Sequence, residues 1–140
     1  MLAGRDPWRR LGYTRQTWAR LLSGPLRGRE AWVFDDGRGP VGFALVRRGF
    51  LLGDYLELFA VAPATEGRGI GKALLCAVER RVFAQAKNFF VCVSDFNAGA
   101  RRFYRRLGYR TVGKIPDLLV PGSSELLLRK STGPTRTPRT

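Results

Sequence analysis

A chain of 140 residues and 15.7 kDa has room for one domain around a single core. Its 44% hydrophobic and 26% charged residues exclude a disordered chain, and no apolar run approaches the roughly 18 residues that span a bilayer. Histidine is absent, and Cys76 and Cys92 lack CxxC spacing, which excludes imidazole catalysis, a zinc site and a disulfide framework; no metal is expected.

Lys and Arg total 25 against 11 Asp and Glu, a net charge of +14. Residues 1–70 hold 11 basic and 7 acidic side chains, and residues 71–140 hold 14 and 4. Such a field draws polyanions: nucleic acid or ribosome, an acidic membrane surface, or a phosphorylated cofactor. Arginine on solvated faces produces the same count, so charge alone leaves these open. Arg5, Asp6, Arg9 and Arg10 break any apolar signal stretch near the start, which sets the expectation of a cytoplasmic protein without a membrane anchor.

Residues 5–23 read as helical, with Trp8 and Leu11, then Trp18, Leu21 and Leu22, at helical spacing, Thr14 as a cap, and Gly24-Pro25 as the stop. Three strand-like runs follow. Ala31 to Phe34 ends at the hairpin signal Asp35-Asp36-Gly37. Val41 to Val46 is followed by Gly49 as the next turn, and Tyr55 to Ala62 is closed by Pro63. Gly69 to Ala86 is the strongest helix, with Ile70, Ala73, Leu74, Ala77, Val78 and Val82 in one stripe and Lys72, Glu79, Arg80 and Arg81 directed elsewhere. Phe89 to Val93 is a short buried strand. Asn97 can cap a helix through Leu107, with Gly108 as a left-handed stop. Tyr109 to Ile115 and Glu125 to Arg129 are two more strands. Residues 1–130 thus form one domain, and the Thr-, Pro- and Arg-rich residues 131–140 a disordered basic tail. This order predicts a mixed α/β sheet.

Between the strongest strand and the strongest helix lies Glu66-Gly67-Arg68-Gly69-Ile70-Gly71-Lys72. Glycines there let a ligand approach the backbone, and the amides at a helix N-terminus attract phosphate. A Walker A loop fails, because Glu66 and Ala73 stand at its Gly and Ser/Thr positions, and G-x-G-x-x-G fails at Lys72 and at Leu74. The segment does resemble the acetyl-coenzyme A loop of the GCN5-related N-acetyltransferases (GNAT), Gln/Arg-x-x-Gly-x-Gly/Ala. Gly69 and Gly71 take the two small positions, while Glu66 stands where Gln or Arg is usual. Leu56-Glu57-Leu58-Phe59-Ala60-Val61-Ala62-Pro63 is similar to that family's fourth strand. The stretch from Val91 through Asn97 and Tyr104 to Gly108-Tyr109 is similar to its fifth strand and fourth helix. Together these cover Tyr55 to Lys130.

The resemblance implies a mixed, mostly antiparallel sheet flanked by helices, here without an obvious first strand. It implies an enzyme that moves an acetyl group from acetyl-CoA to a primary amine, either a peptide or protein N-terminus or a small amine, by direct attack in a ternary complex; the alternative is a catalytically inactive module that binds acetyl-CoA, nucleic acid or ribosome. Oligomeric state, monomer or dimer, is left open. The implied cofactor site comprises Arg68, Gly69, Ile70, Gly71 and Lys72 around the pyrophosphate, Val61 for the pantetheine arm, Phe59 and its strand facing the thioester, and Asn97 and Tyr104 near the thiol. Tyr104 is the expected general acid, since a phenol with a pKa of about 10 can protonate a leaving thiolate. Glu57, a carboxylate in an apolar strand with the parity of Phe59 and Val61, is the expected base, with an ion pair to arginine as its alternative reading. In peptide N-terminal acetyltransferases a glutamate can stand at the place of Cys92; here it does not. Arg101, Arg102, Arg105 and Arg106 read as a solvated face, a nucleic-acid surface, or a contact for the cofactor's 3′-phosphate.

Overall fold

The computed structural model describes residues 26–139 together with Gln16, Arg20 and Ser23. Those three are helical; the rest of the helical segment expected over 5–23 lies outside the described residues. Six strands follow: β1 (Arg29–Asp35), β2 (Pro40–Phe50), β3 (Gly53–Val61), β4 (Asn88–Ser94), β5 (Arg110–Pro116) and β6 (Ser124–Ser131). Helix α1 (Ile70–Phe83) connects β3 to β4, and α2 (Ala98–Arg106) connects β4 to β5. The sheet order is β1-β2-β3-β4-β6-β5, and only β3 and β4 run parallel.

The hairpins arise from local chemistry. After β1, the Asp35 carboxylate accepts from the amides of Gly37 (2.7 Å) and Gly39 (3.3 Å), closing the turn that the Asp-Gly signal marked. After β2 the outcome differs from expectation. The strand runs through Gly49 to Phe50, and Leu51 and Leu52 make the turn with φ of 45° and 60°. Gly53 then begins β3 against Asn88, whose carbonyl oxygen would lie 2.2 Å from any added Cβ. Glycine is what permits the start of β3 to lie this close to β4.

Both helices pack on one face of the sheet. Leu74, Leu75, Val78 and Val82 of α1 meet Ala44, Val46, Leu56, Phe89 and Val91, and Tyr104 of α2 joins the same cluster. Three positions on α1 depart from the expected stripe. Ala73 is exposed while Leu75 is fully buried, so Leu75→Ala would cost roughly 2–5 kcal/mol. Glu79, expected to face solvent, is buried beside Lys130 of β6, with which it forms an ion pair. Trp32 packs against the core from β1. Gly108 stops α2 at φ 96°, as its position predicts.

Candidate active site

The parallel pairing of β3 and β4 is short, and the site depends on that. It covers Asp54–Phe89, Tyr55–Phe90 and Leu56–Val91, then ends, although β3 continues to Val61 and β4 to Ser94. Past Leu56 the two strands are not joined by ladder hydrogen bonds, so their backbone groups border a cleft of about 930 Å³. Helix α1 begins at one end of it, and the β5–β6 loop borders it with Leu118 and Leu119.

The glycine-rich turn shapes the first end. Gly67 and Gly69 adopt φ of 80° and 77°, a conformation costly for any residue with a Cβ. Gly69 caps α1, and its carbonyl accepts from the Ala73 amide at 3.0 Å. The amides of Ile70, Gly71 and Lys72 therefore precede the first helical hydrogen bond and carry the positive end of the helix dipole. Gly69, Ile70, Gly71 and Lys72 all line the cleft, as do Glu66 and Gly67. Arg68, expected at the phosphates, is not among the lining residues; its side chain is exposed on the same turn. Arg106 lines the cleft instead, because Gly99, Phe103 and Arg106 recur at helical spacing on one side of α2.

Phe59 and Val61 line the cleft from β3, and Phe59 stacks on Phe103 with ring centroids 5.8 Å apart. Asn97 also lines it and caps α2, its Oδ1 accepting from the Ala100 amide at 3.2 Å. Tyr104 lies deeper, 5% exposed, with its ring against Phe59, Phe103 and Tyr109. Burial pushes its hydroxyl pKa well above the ordinary phenol value, so it stays a proton donor at neutral and mildly alkaline pH.

Glu57 sits differently from its expected parity. Leu45 pairs with Leu58 and Val46 with Leu56, leaving Glu57 as an extra residue in a β-bulge. Phe59 registers with Ala44 in the core, on the helix face, whereas Arg47 registers with Tyr55 on the opposite face. Glu57 joins the Arg47 side. Arg29 contacts both its oxygens, Nε to Oε2 and Nη2 to Oε1, each at 3.0 Å, and Arg47 Nη2 reaches Oε1 at 3.3 Å. The arginine ion pair is thus the alternative that the geometry favours, although Glu57 does reach the cleft wall.

Because the wall includes Phe59 and Phe103 on the helix side and Tyr55, Glu57, Cys92 and Glu125 on the other, the cleft passes through the sheet. Two ligands can enter from opposite faces and meet between the strands. Its basic wall residues, Lys72 and Arg106, lie at the helix end, and no basic side chain lines the far end among the described residues. Tyr55 and Glu125 had no assigned place here from sequence, whereas Arg106 belongs to the arginine run for which a contact to the cofactor's 3′-phosphate was one of three readings. The usable signal for Glu125 was a lone carboxylate opening the apolar run Leu126-Leu127-Leu128, the same pattern that drew attention to Glu57.

Residues 3–109 match the sequence model of the acetyltransferase (GNAT) family, and the chain belongs to that family. An uncharacterized N-acetyltransferase of Methanocaldococcus jannaschii is 38% identical over 97 residues, 68% of this chain and 61% of that relative's length. The chain therefore spans less than two thirds of that relative. Among solved structures, an aminoglycoside 6′-N-acetyltransferase complexed with coenzyme A superposes with TM-score 0.75 at 18% identity, covering 93% of this chain and 87% of the other. The ribosomal-protein-S18-alanine N-acetyltransferase of Escherichia coli gives 0.72 at 17%, covering 91% and 83%. Both share the fold. Three or more His, Cys, Asp or Glu side chains do not gather into a metal site among the described residues. Nor is any helix among them long and apolar enough to cross a membrane.

Proposed function

We propose that this acetyltransferase moves the acetyl group of acetyl-CoA directly to a primary amine, with both substrates bound at once. The observation that carries the reading is the cleft through the sheet, which offers a cationic helix end and an anionic far end on opposite faces. The residues fit the cofactor. The amides of Ile70, Gly71 and Lys72, with the Lys72 ammonium, suit a pyrophosphate, and Arg106 suits a further phosphate. The unpaired edge of β3 from Phe59 to Val61 offers backbone groups to a pantetheine amide and a thioester carbonyl. Asn97 borders the same passage, and Tyr104 presents a hydroxyl that no other described residue bonds, suited to the departing thiolate. The acceptor is a peptide or protein N-terminus or a small amine. Free thiols at Cys76 and Cys92 fit a reducing, cytoplasmic setting.

Calorimetry with acetyl-CoA, followed by thiol release across a panel of amines and N-terminal peptides, tests the proposal. Binding with amine-dependent thiol release is expected. No binding at millimolar acetyl-CoA would leave a protein that keeps the fold and serves as a binding module.

A further inference from the structure

Glu125 is 5% exposed, lines the far end of the cleft, and has no cationic partner among the described residues. A buried carboxylate without a counter-charge is costly, and a fold that keeps one at a cleft wall offers a place for a cation from outside. Its position follows from the sheet. Because β6 inserts between β4 and β5, Glu125 stands opposite Ser94 on one side and Ile115 on the other, at the level where β4 has left β3.

Resting on the transferase reading above, we propose that Glu125 is the acceptor-recognition carboxylate of this cleft, holding the substrate's ammonium and taking its proton. Glu57, the other carboxylate at this end, is engaged by Arg29 and Arg47. Glu125 removes one proton from R–NH3⁺ to give R–NH2 and a neutral carboxyl. The nitrogen lone pair forms the N–C bond at the acetyl carbon, the C–S bond breaks, and the sulfur leaves with the electron pair. The thiolate gains a proton from the Tyr104 hydroxyl, which regains one as the new amide nitrogen loses its second hydrogen. Glu125 returns its proton to water, so the net products are amide, free thiol and one proton.

The surrounding charges suit this role. Burial raises the Glu125 pKa, the nearby Asp95 carboxylate adds to the rise, and the Ser94 hydroxyl opposes it. Asp95 itself is held low by the Ser124 amide and the Ser123 hydroxyl. From β3, Tyr55 and Glu57 face the same space, and from β4 the Cys92 thiol, whose pKa burial also raises. Lys114 of β5 acts on Asp95, Arg129 of β6 is spent on Asn88 and Ser131, and Asp117 binds the Gly122 amide. Leu118 and Leu119, both exposed, form an apolar lip beside this end. One available carboxylate and an apolar lip select a monocationic amine with an apolar neighbour.

Leucinamide is the probe. The wild type should acetylate it with kcat/KM rising on the acid side through the raised Glu125 pKa. Glu125→Gln should lose about 100-fold at pH 7. Its acid limb should move up to the ammonium pKa of leucinamide, with activity recovering toward wild type above that point, since free amine then needs no base. Acetyl-CoA affinity by calorimetry should stay within about twofold. Glu125→Asp, which keeps the charge, should retain the wild-type acid limb with reduced kcat/KM, and gives the same reading should the glutamine variant fold poorly. An unchanged profile in Glu125→Gln, or a loss equal at every pH, overturns the assignment. Wild-type protein that binds acetyl-CoA and leaves leucinamide untouched overturns the acceptor class. Wild-type protein that binds no acetyl-CoA overturns the transferase reading itself.

Discussion

Tyr104→Phe removes one oxygen from the centre of the cleft and little else. The ring keeps its neighbours: Phe103 at 5.1 Å, Tyr109 at 5.4 Å and Phe59 at 6.3 Å between centroids. No hydrogen bond joins the hydroxyl to another described residue, so its removal leaves no orphaned partner and stability should change by less than about 0.5 kcal/mol. Catalysis should respond far more. General acid assistance to a leaving thiolate contributes roughly 10–1000-fold, or about 1.4–4 kcal/mol in the barrier. Because burial holds the phenol protonated, the wild-type rate should show no alkaline fall attributable to Tyr104 below pH 10. The assay is thiol release under saturating acetyl-CoA, with the cofactor dissociation constant measured alongside. The loss should shrink for thioesters with more acidic thiols, which need less protonation on leaving. A variant with wild-type turnover on coenzyme A thioesters refutes the role and reduces Tyr104 to a packing aromatic.

The remaining expectations concern the helix end of the cleft and the tyrosine cluster. Gly71→Glu places its Cβ at 3.5 Å from Val61 and 3.6 Å from Phe103, ordinary contacts, so the fold should survive while the carboxylate opposes phosphate; calorimetry should show acetyl-CoA binding weakened by at least about 100-fold. Glu66→Arg exchanges a like charge on the cleft wall for a phosphate-pairing one and should tighten acetyl-CoA by about 0.5–1.5 kcal/mol; weaker binding would mean that Glu66 serves another contact. Tyr55, Tyr104 and Tyr109 all have hydroxyl pKa values raised by burial, so the unfolded chain ionises first and stability, intact below about pH 10, is lost above it. The slope should approach about 1.4 kcal/mol per pH unit for each tyrosine. Urea midpoints between pH 9 and 11.5 would measure it, and tyrosinate absorbance appearing with the folded signal intact would contradict it.

Features that depend on a few adjacent residues were legible in the sequence. The turn before α1 needs left-handed backbone at Gly67 and Gly69, α2 needs the Asn97 cap, and Gly108 must stop it; each requirement is met within one turn of chain. The strands and the long helix were visible for the same reason, since side-chain period is a local property. Orientation across the sheet was another matter. The bulge at Glu57 reverses its parity and delivers it to Arg29 and Arg47, and that follows from pairing with β2, not from β3 itself. Leu75 and Glu79 turned inward because the sheet, and Lys130 upon it, covers a wider face of α1 than its own stripe defines. Arg106 rather than Arg68 borders the cleft because α2 lies across from α1. Glu125 reaches the cleft only because β6 enters the sheet ahead of β5, which brings a carboxylate late in the chain beside the strand end at Ser94. Local sequence sets which backbone conformations are affordable, whereas register and strand order, decided by burial of the whole core, set which side chains meet.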